Sequence, residues 1–250
     1  MTEQKMLSIG ETAKILGVSI ENLRNWDKNG ILPSFRPSPS SKRYYRREDI
    51  ENFLKKDTKI EEENIANLAK EWAISKTPAS IPASFYCETN DVFSARLQSL
   101  SILLERLPEL KEIFPLIIAI IGEIGNNSYN HNIGNWPDVP GIFFTYSLDK
   151  RQIILADRGR GILKTLQRVV PNLKTDKEAL NIAFTKYISG RAPENRGNGL
   201  KFVKDVISEN PFRLQFYTGN AETELKQNTT KLNIKTLDTK FHGCIAIIQY

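Results

Sequence analysis

A chain of 250 residues, 40% hydrophobic and 26% charged, has a soluble globular composition with room for one or two cores, and its net charge of +6 suits a partner that carries phosphates. Two distant cysteines, Cys87 and Cys244, have no metal-ligand or redox spacing; they read as buried thiols in a reducing compartment rather than a disulfide framework. The opening "MTEQKMLSIG" lacks a signal-peptide core, and the longest apolar run, "FPLIIAIIG" from Phe114, is too short to cross a bilayer, so a cytoplasmic protein with no membrane contact is expected.

In "LSIGETAKILGVSIENLRNWDKNGIL", Ser8 and Glu11 have capping-box spacing, and Ala13, Ile15 and Leu16 give a first helix its apolar face, with Gly17 as its end. Ser19 is the expected N-cap of a second helix, which places Ile20, Leu23 and Trp26 on one face and stops at Gly30. Together with Ser19, the other face offers Asn22, Arg24, Asn25 and Lys28, side chains that donate to phosphates or read base edges in a major groove. Beyond it, "FRPSPSSKRYYRREDI" is rich in turn residues and carries Arg36, Lys42, Arg43, Arg46 and Arg47 around Tyr44 and Tyr45, a basic wing suited to the DNA backbone. Residues 1–59 hold 12 Lys or Arg against 8 Asp or Glu, so the basic surplus sits mostly here. On a small protein-binding module the same charges would be a solvated face; a helix pair and a basic wing together favour nucleic acid.

The stretches "IGETAKILGVS", "NLRNWDKNGIL", "SKRYY" and "REDIENFL", which together cover most of residues 7 to 54, resemble the MerR and excisionase family of winged helix-turn-helix domains. The resemblance implies that residues 1–58 bind double-stranded DNA, with Arg24, Arg43 and Tyr44 at positions that commonly contact it. A MerR regulator typically continues into a long dimerising coiled coil. Here "IEEENIANLAKEWAISK" spaces Ile65, Leu68 and Trp72 for one brief helix, and the two prolines of "TPASIPAS" cannot continue it. Residues 59–83 are therefore read as a connecting helix and linker, and a homodimer is expected.

From residue 84 to 250, helical segments alternate with strand-like runs such as "GIFFTYSL", "QIILAD", "FRLQFYT" and "GCIAIIQY", which implies an α/β layer structure. The segment "IIAIIGEIGNNSYNHN" predicts a helix with a buried apolar half and a polar end carrying Glu123, Asn126, Asn127 and His131. Glu123 and Asn127 are four apart and share a face. An amide oxygen can ligate Mg²⁺ beside phosphate oxygens, and a neighbouring carboxylate can align or deprotonate a water for attack on phosphorus. In "ILADRGRGIL", Asp157 stands at a strand end where it can accept from an adenine amino group, and the glycines allow close backbone approach. In "NRGNGLKFVKDVI", Gly197 and Gly199 precede an amphipathic helix whose N-terminus would attract an anion. Each motif alone also fits an ordinary turn.

In this order the three motifs resemble the GHKL ATPase superfamily, over about residues 90 to 250. The resemblance implies an α+β chain overall, with the winged head followed by a two-layer α/β sandwich of mixed sheet that binds ATP. Asn127 would hold Mg²⁺, Asp157 would bind adenine, Gly159, Gly161 and Ile162 would complete the first glycine box, and Gly197, Gly199 and Leu200 would meet the phosphates. Glu123 would be the catalytic base, and residues 163–196 a lid. The second glycine box is short. Only His131 and His242 are present, so histidine autokinase activity is not expected, and without a transducer-type lysine hydrolysis would be slow. Two readings follow: a DNA-binding transcriptional regulator controlled by ATP–Mg²⁺, or a kinase resembling the anti-sigma-factor serine/threonine kinases and acting on a partner protein. A nucleotide-independent dimerisation module is a third.

Overall fold

The computed structural model describes residues 6–38, 40–50, 53, 65–186 and 199–250. A short strand β1, Met6–Ser8, pairs antiparallel with β2, Tyr44–Arg46. Between them lie α1, Ile9–Leu16, and α2, Ile20–Lys28. Ser8 and Glu11 close the capping box as their spacing predicts, and Gly17 ends α1 in the left-handed conformation at φ 63°. Leu7, Leu16, Leu23, Trp26 and Ile50 form the small core of this head. Tyr45, grouped with the wing on sequence grounds, belongs to that core; it is fully buried and its hydroxyl donates to the Leu23 carbonyl.

The remainder is built on one five-stranded sheet in the order β3-β4-β5-β7-β6: β3, Tyr86–Cys87; β4, Ile142–Ser147; β5, Gln152–Asp157; β6, Arg213–Lys226; and β7, Ile234–Gln249. The mixed sheet that the GHKL resemblance implies is corrected: among the described residues every neighbouring pair is antiparallel. The reason is topological. β5 and β6 do run the same way, as a helical crossover requires, but β7 takes the place between them and opposes both.

Among the described residues, five helices cover one face of the sheet: α4, Asn90–Glu105; α5, Phe114–Asn132; α6, Gly161–Leu166; α7, Asp176–Thr185; and α8, Gly199–Glu209. The connecting helix, α3, Ile65–Ile74, covers part of the other face, so the expected two layers become three. Strand alternation sets this up. Ile153 and Leu155 of β5 enter the core under the five helices, whereas Ile154 and Ala156 meet Trp72 and Ala69 on the α3 side. A strand apolar at every position needs both faces covered. Ala179, Leu180 and Phe184 of α7 lie in the main core, so the described part of the expected lid is packed structure.

The head contacts the sheet domain through α4. Ser99 donates to the Lys14 carbonyl at 3.0 Å, and the backbone of Gly17 lies so close to Arg96 that a Cβ would come within 2.1 Å of its Cγ.

Candidate functional site

On the head, α2 exposes Arg24, Asn25 and Lys28 along one side, with Asn22 half-buried beside them. The Ser19 hydroxyl is committed to capping, accepting from the Asn22 N–H at 3.0 Å. Lys42, Arg46 and Arg47 are exposed on the wing, and Tyr44 is half-buried where it bridges Phe35. A carboxylate that sequence reasoning passed over organises this surface. Asp27 on α2 accepts from the Ser34 N–H at 2.8 Å and from Arg43 Nε at 2.7 Å, and Arg36 lies 3.6 Å away. Partial burial works to raise its pKa, but the Arg43 and Ser34 hydrogen bonds outweigh that and hold it below the usual range. Asp27 thus ties the wing to the second helix and aims two of the basic side chains. Asp27→Ala is expected to cost the protein about 2 kcal/mol, read as a shift in the urea midpoint.

Residues 7–55 match the family described as MerR HTH family regulatory protein. These residues form a MerR-family helix-turn-helix domain. Over 46 residues the chain is 48% identical to the Type II methyltransferase M.Eco47II of Escherichia coli, a match covering 18% of this chain and 11% of that protein. Over 53 residues it is 38% identical to the transcriptional repressor DcmR of Methylorubrum extorquens, covering 21% of this chain and 20% of that one. The chain therefore spans no more than a fifth of either relative. The MerR head and its basic face support a DNA-binding regulator.

In the sheet domain, the polar half of α5 gathers most of the residues singled out by sequence. Asn127 donates its amide to Glu123 Oε1 at 3.0 Å, so the pair shares a face as its spacing predicts. Glu123 lies against the start of α8: a Cβ on Gly199 would come within 1.7 Å of Oε1. Leu200, next along α8, is half-buried, and Gly197 lies outside the described residues. Further along α5, Ser128 donates to Asp157 Oδ2 at 2.8 Å. Asn132 accepts from the Arg160 N–H at 2.9 Å and returns its own amide to the Ser128 carbonyl at 2.7 Å.

Asp157 ends β5 with only 3% of its surface exposed. Burial raises its pKa to about 6, against the lowering effect of hydrogen bonds from Ser128, the Gly159 N–H and the Cys244 N–H. Three donors leave about one of a carboxylate's four acceptor positions for something else. Gly159 has a packing reason, since a Cβ there would overlap the Asn132 amide at 2.1 Å. Gly161, at φ 72°, begins α6, and the Ile162 N–H donates to Thr218 Oγ1 at 3.2 Å.

Three site residues had escaped sequence reasoning. Gly243, at φ 63°, comes so close that a Cβ would lie 2.1 Å from Asp157 Oδ1, and Thr218 donates to the Gly243 carbonyl at 3.0 Å. Both come from β6 and β7, far along the chain, and no local motif announces them. The third is Arg158. Its neighbour Asp157 faces α5, while Arg158 passes to the opposite side of the sheet with its side chain wholly buried. There it donates to Asp138 Oδ2 at 2.8 Å, to the Trp72 carbonyl and to the Ser75 carbonyl at 2.9 Å.

Proposed function

We propose that the protein is a DNA-binding transcriptional regulator whose sheet domain binds ATP–Mg²⁺ and controls the MerR head. The observation that carries this reading is the convergence of Asp157 with the Glu123–Asn127 pair along α5, on a domain in direct contact with the head. The donor set suits the ligand. Asp157 keeps an acceptor position for an adenine amino group. Asn127 donates one amide hydrogen to Glu123, and its Oδ1 is directed to no protein donor among the described residues, which leaves it for a hard cation. No group of three or more His, Cys, Asp or Glu side chains among the described residues could cage a metal by itself. Mg²⁺ that keeps waters and phosphate oxygens needs no such cage.

Bound ATP–Mg²⁺ would supply a hydrolysable phosphoanhydride. Glu123, half-buried and fixed by Asn127, would align a water for slow turnover, and Gly199 and Leu200 at the start of α8 would meet phosphate oxygens. Asp157 and Arg158 offer a route to the head: one residue faces the α5 side and the next holds α3. A ligand that draws on Asp157 would bias the strand end that fixes the connecting helix, and with it the spacing of two heads on an operator.

Calorimetric titration with ATP, with and without Mg²⁺, tests the reading. Binding that needs Mg²⁺ and is lost in Asn127→Ala is expected; no binding in the intact protein overturns it. On DNA selected by the intact protein, Arg24→Ala is expected to weaken binding about tenfold without a change in melting temperature. Transfer of labelled phosphate from ATP to a partner protein, without nucleotide-dependent DNA shifts, would instead favour the kinase reading.

A further inference from the structure

The junction between head and sheet domain holds a partly open cavity of about 230 Å³. Its walls are apolar and aromatic: Trp26 and Phe53 from the head, Phe85 and Tyr146 from the sheet domain. Into this lining comes Arg96 of α4, only 8% exposed. Among the described residues no carboxylate pairs with it. Its polar contact is the Cys87 Sγ at 3.4 Å, and its guanidinium lies over the Phe144 ring at 5.4 Å. Burial pushes the Cys87 thiol up, so it stays neutral and does not balance the charge. A buried cation without a counter-ion is costly, and an anion that enters would relieve that cost. The cavity also holds a buried hydroxyl with no hydrogen-bond partner, Ser84 Oγ.

We infer that this cavity is a binding site for a small monocarboxylic acid with an apolar body. Its carboxylate pairs with the Arg96 guanidinium and accepts from Ser84, while its body lies among the aromatic walls. A planar carboxylate matches the guanidinium fork, whereas a doubly charged phosphate would lose more hydration among these rings. The volume falls below that of pockets for drug-sized ligands, so the acid is small. Because the Gly17 turn rests on the Arg96 stem, such a ligand sits at the joint between head and sheet domain and favours the docked arrangement. The exposed Arg24, Asn25 and Lys28 remain outside the cavity, so the site tunes the placement of the reading face without covering it. The site is independent of the nucleotide reading.

The full chain is titrated by calorimetry with benzoate and hexanoate, and with benzamide and hexanol as uncharged counterparts. At least one acid is expected to bind saturably with a Kd of about 1 mM or tighter, and its uncharged counterpart about tenfold more weakly or not at all. Arg96→Met, which keeps most of the stem packed on Gly17, is expected to weaken the acid by about tenfold or more, and Ser84→Ala by less. Ile15 of α1 also lines the cavity, and shifts of its methyl resonances on titration locate the ligand in the intact protein. No saturable binding of either acid, equal binding of acid and uncharged counterpart, or binding that leaves Ile15 unmoved would each overturn the proposal.

Discussion

Arg158→Met is expected to destabilise the protein by about 3–5 kcal/mol and to release α3 from the sheet. The arginine is fully buried, and its fork does three things at once. It pairs with Asp138, whose carboxyl burial would raise but which the Arg158 hydrogen bond, with the Val139 N–H, holds below the usual range. It meets the carbonyls of Trp72 and Ser75, groups at the C-terminal end of α3 that an isolated helix leaves without partners. It also lies 5.9 Å from the Trp72 ring centre. A methionine fills similar space but leaves these carbonyls and Asp138 without their donor. Lysine should not restore the loss, because one ammonium cannot reproduce a planar fork that reaches three partners. A lowered urea midpoint, together with new proteolytic cleavage within residues 65–80, would mark a helix that has come away. An unchanged midpoint would mean that α3 is held by Trp72, Ala69 and Ile65 packing alone.

The same residue shows what the sequence could and could not convey. The helix pair of the head was legible because its signals are local: a capping box over four residues, Gly17 at the end, and Ser19 at the next start. Glu123 and Asn127 were legible for the same reason, since spacing on one helix places them together. Arg158 stood inside a glycine-rich motif and drew no notice. Its partners lie 20 to 86 residues away, at Asp138, Trp72 and Ser75, and only the sheet brings them together. Gly243 and Thr218 were hidden likewise. The strand runs carried a further clue: "QIILAD" is apolar at successive positions, which demands cover on both faces and points to α3 as a layer of the fold.

Asp157→Asn is expected to change how stability depends on pH and, on the proposed nucleotide reading, to abolish ATP binding. Burial raises the carboxyl to about 6, above a carboxyl's ordinary value of 3.8. A group whose folded pKa is raised contributes stability that is fully present below its unfolded pKa and is lost as pH rises through the folded one. Asp157 should therefore cost the folded state progressively more from about pH 4 to above pH 6, reaching ~3 kcal/mol if the whole shift is realised. Asparagine carries no such charge. It can still accept from the Gly159 N–H through Oδ1, while the Ser128 hydroxyl turns to accept from its amide. The difference in urea midpoint, variant minus parent, should thus rise between pH 5 and pH 8, and the variant should be the more stable at the upper end. Retaining a carboxylate that weakens the fold near neutral pH makes sense if a ligand uses its charge. The parent's ATP affinity should then fall as pH drops below about 6, since protonation removes the acceptor an adenine amino group needs. A variant that gains stability at pH 8 and binds ATP as before would keep the electrostatic account and remove Asp157 from the adenine site. A variant that loses both stability and binding would show that the carboxylate holds the Gly159–Gly243 junction together, whatever binds there.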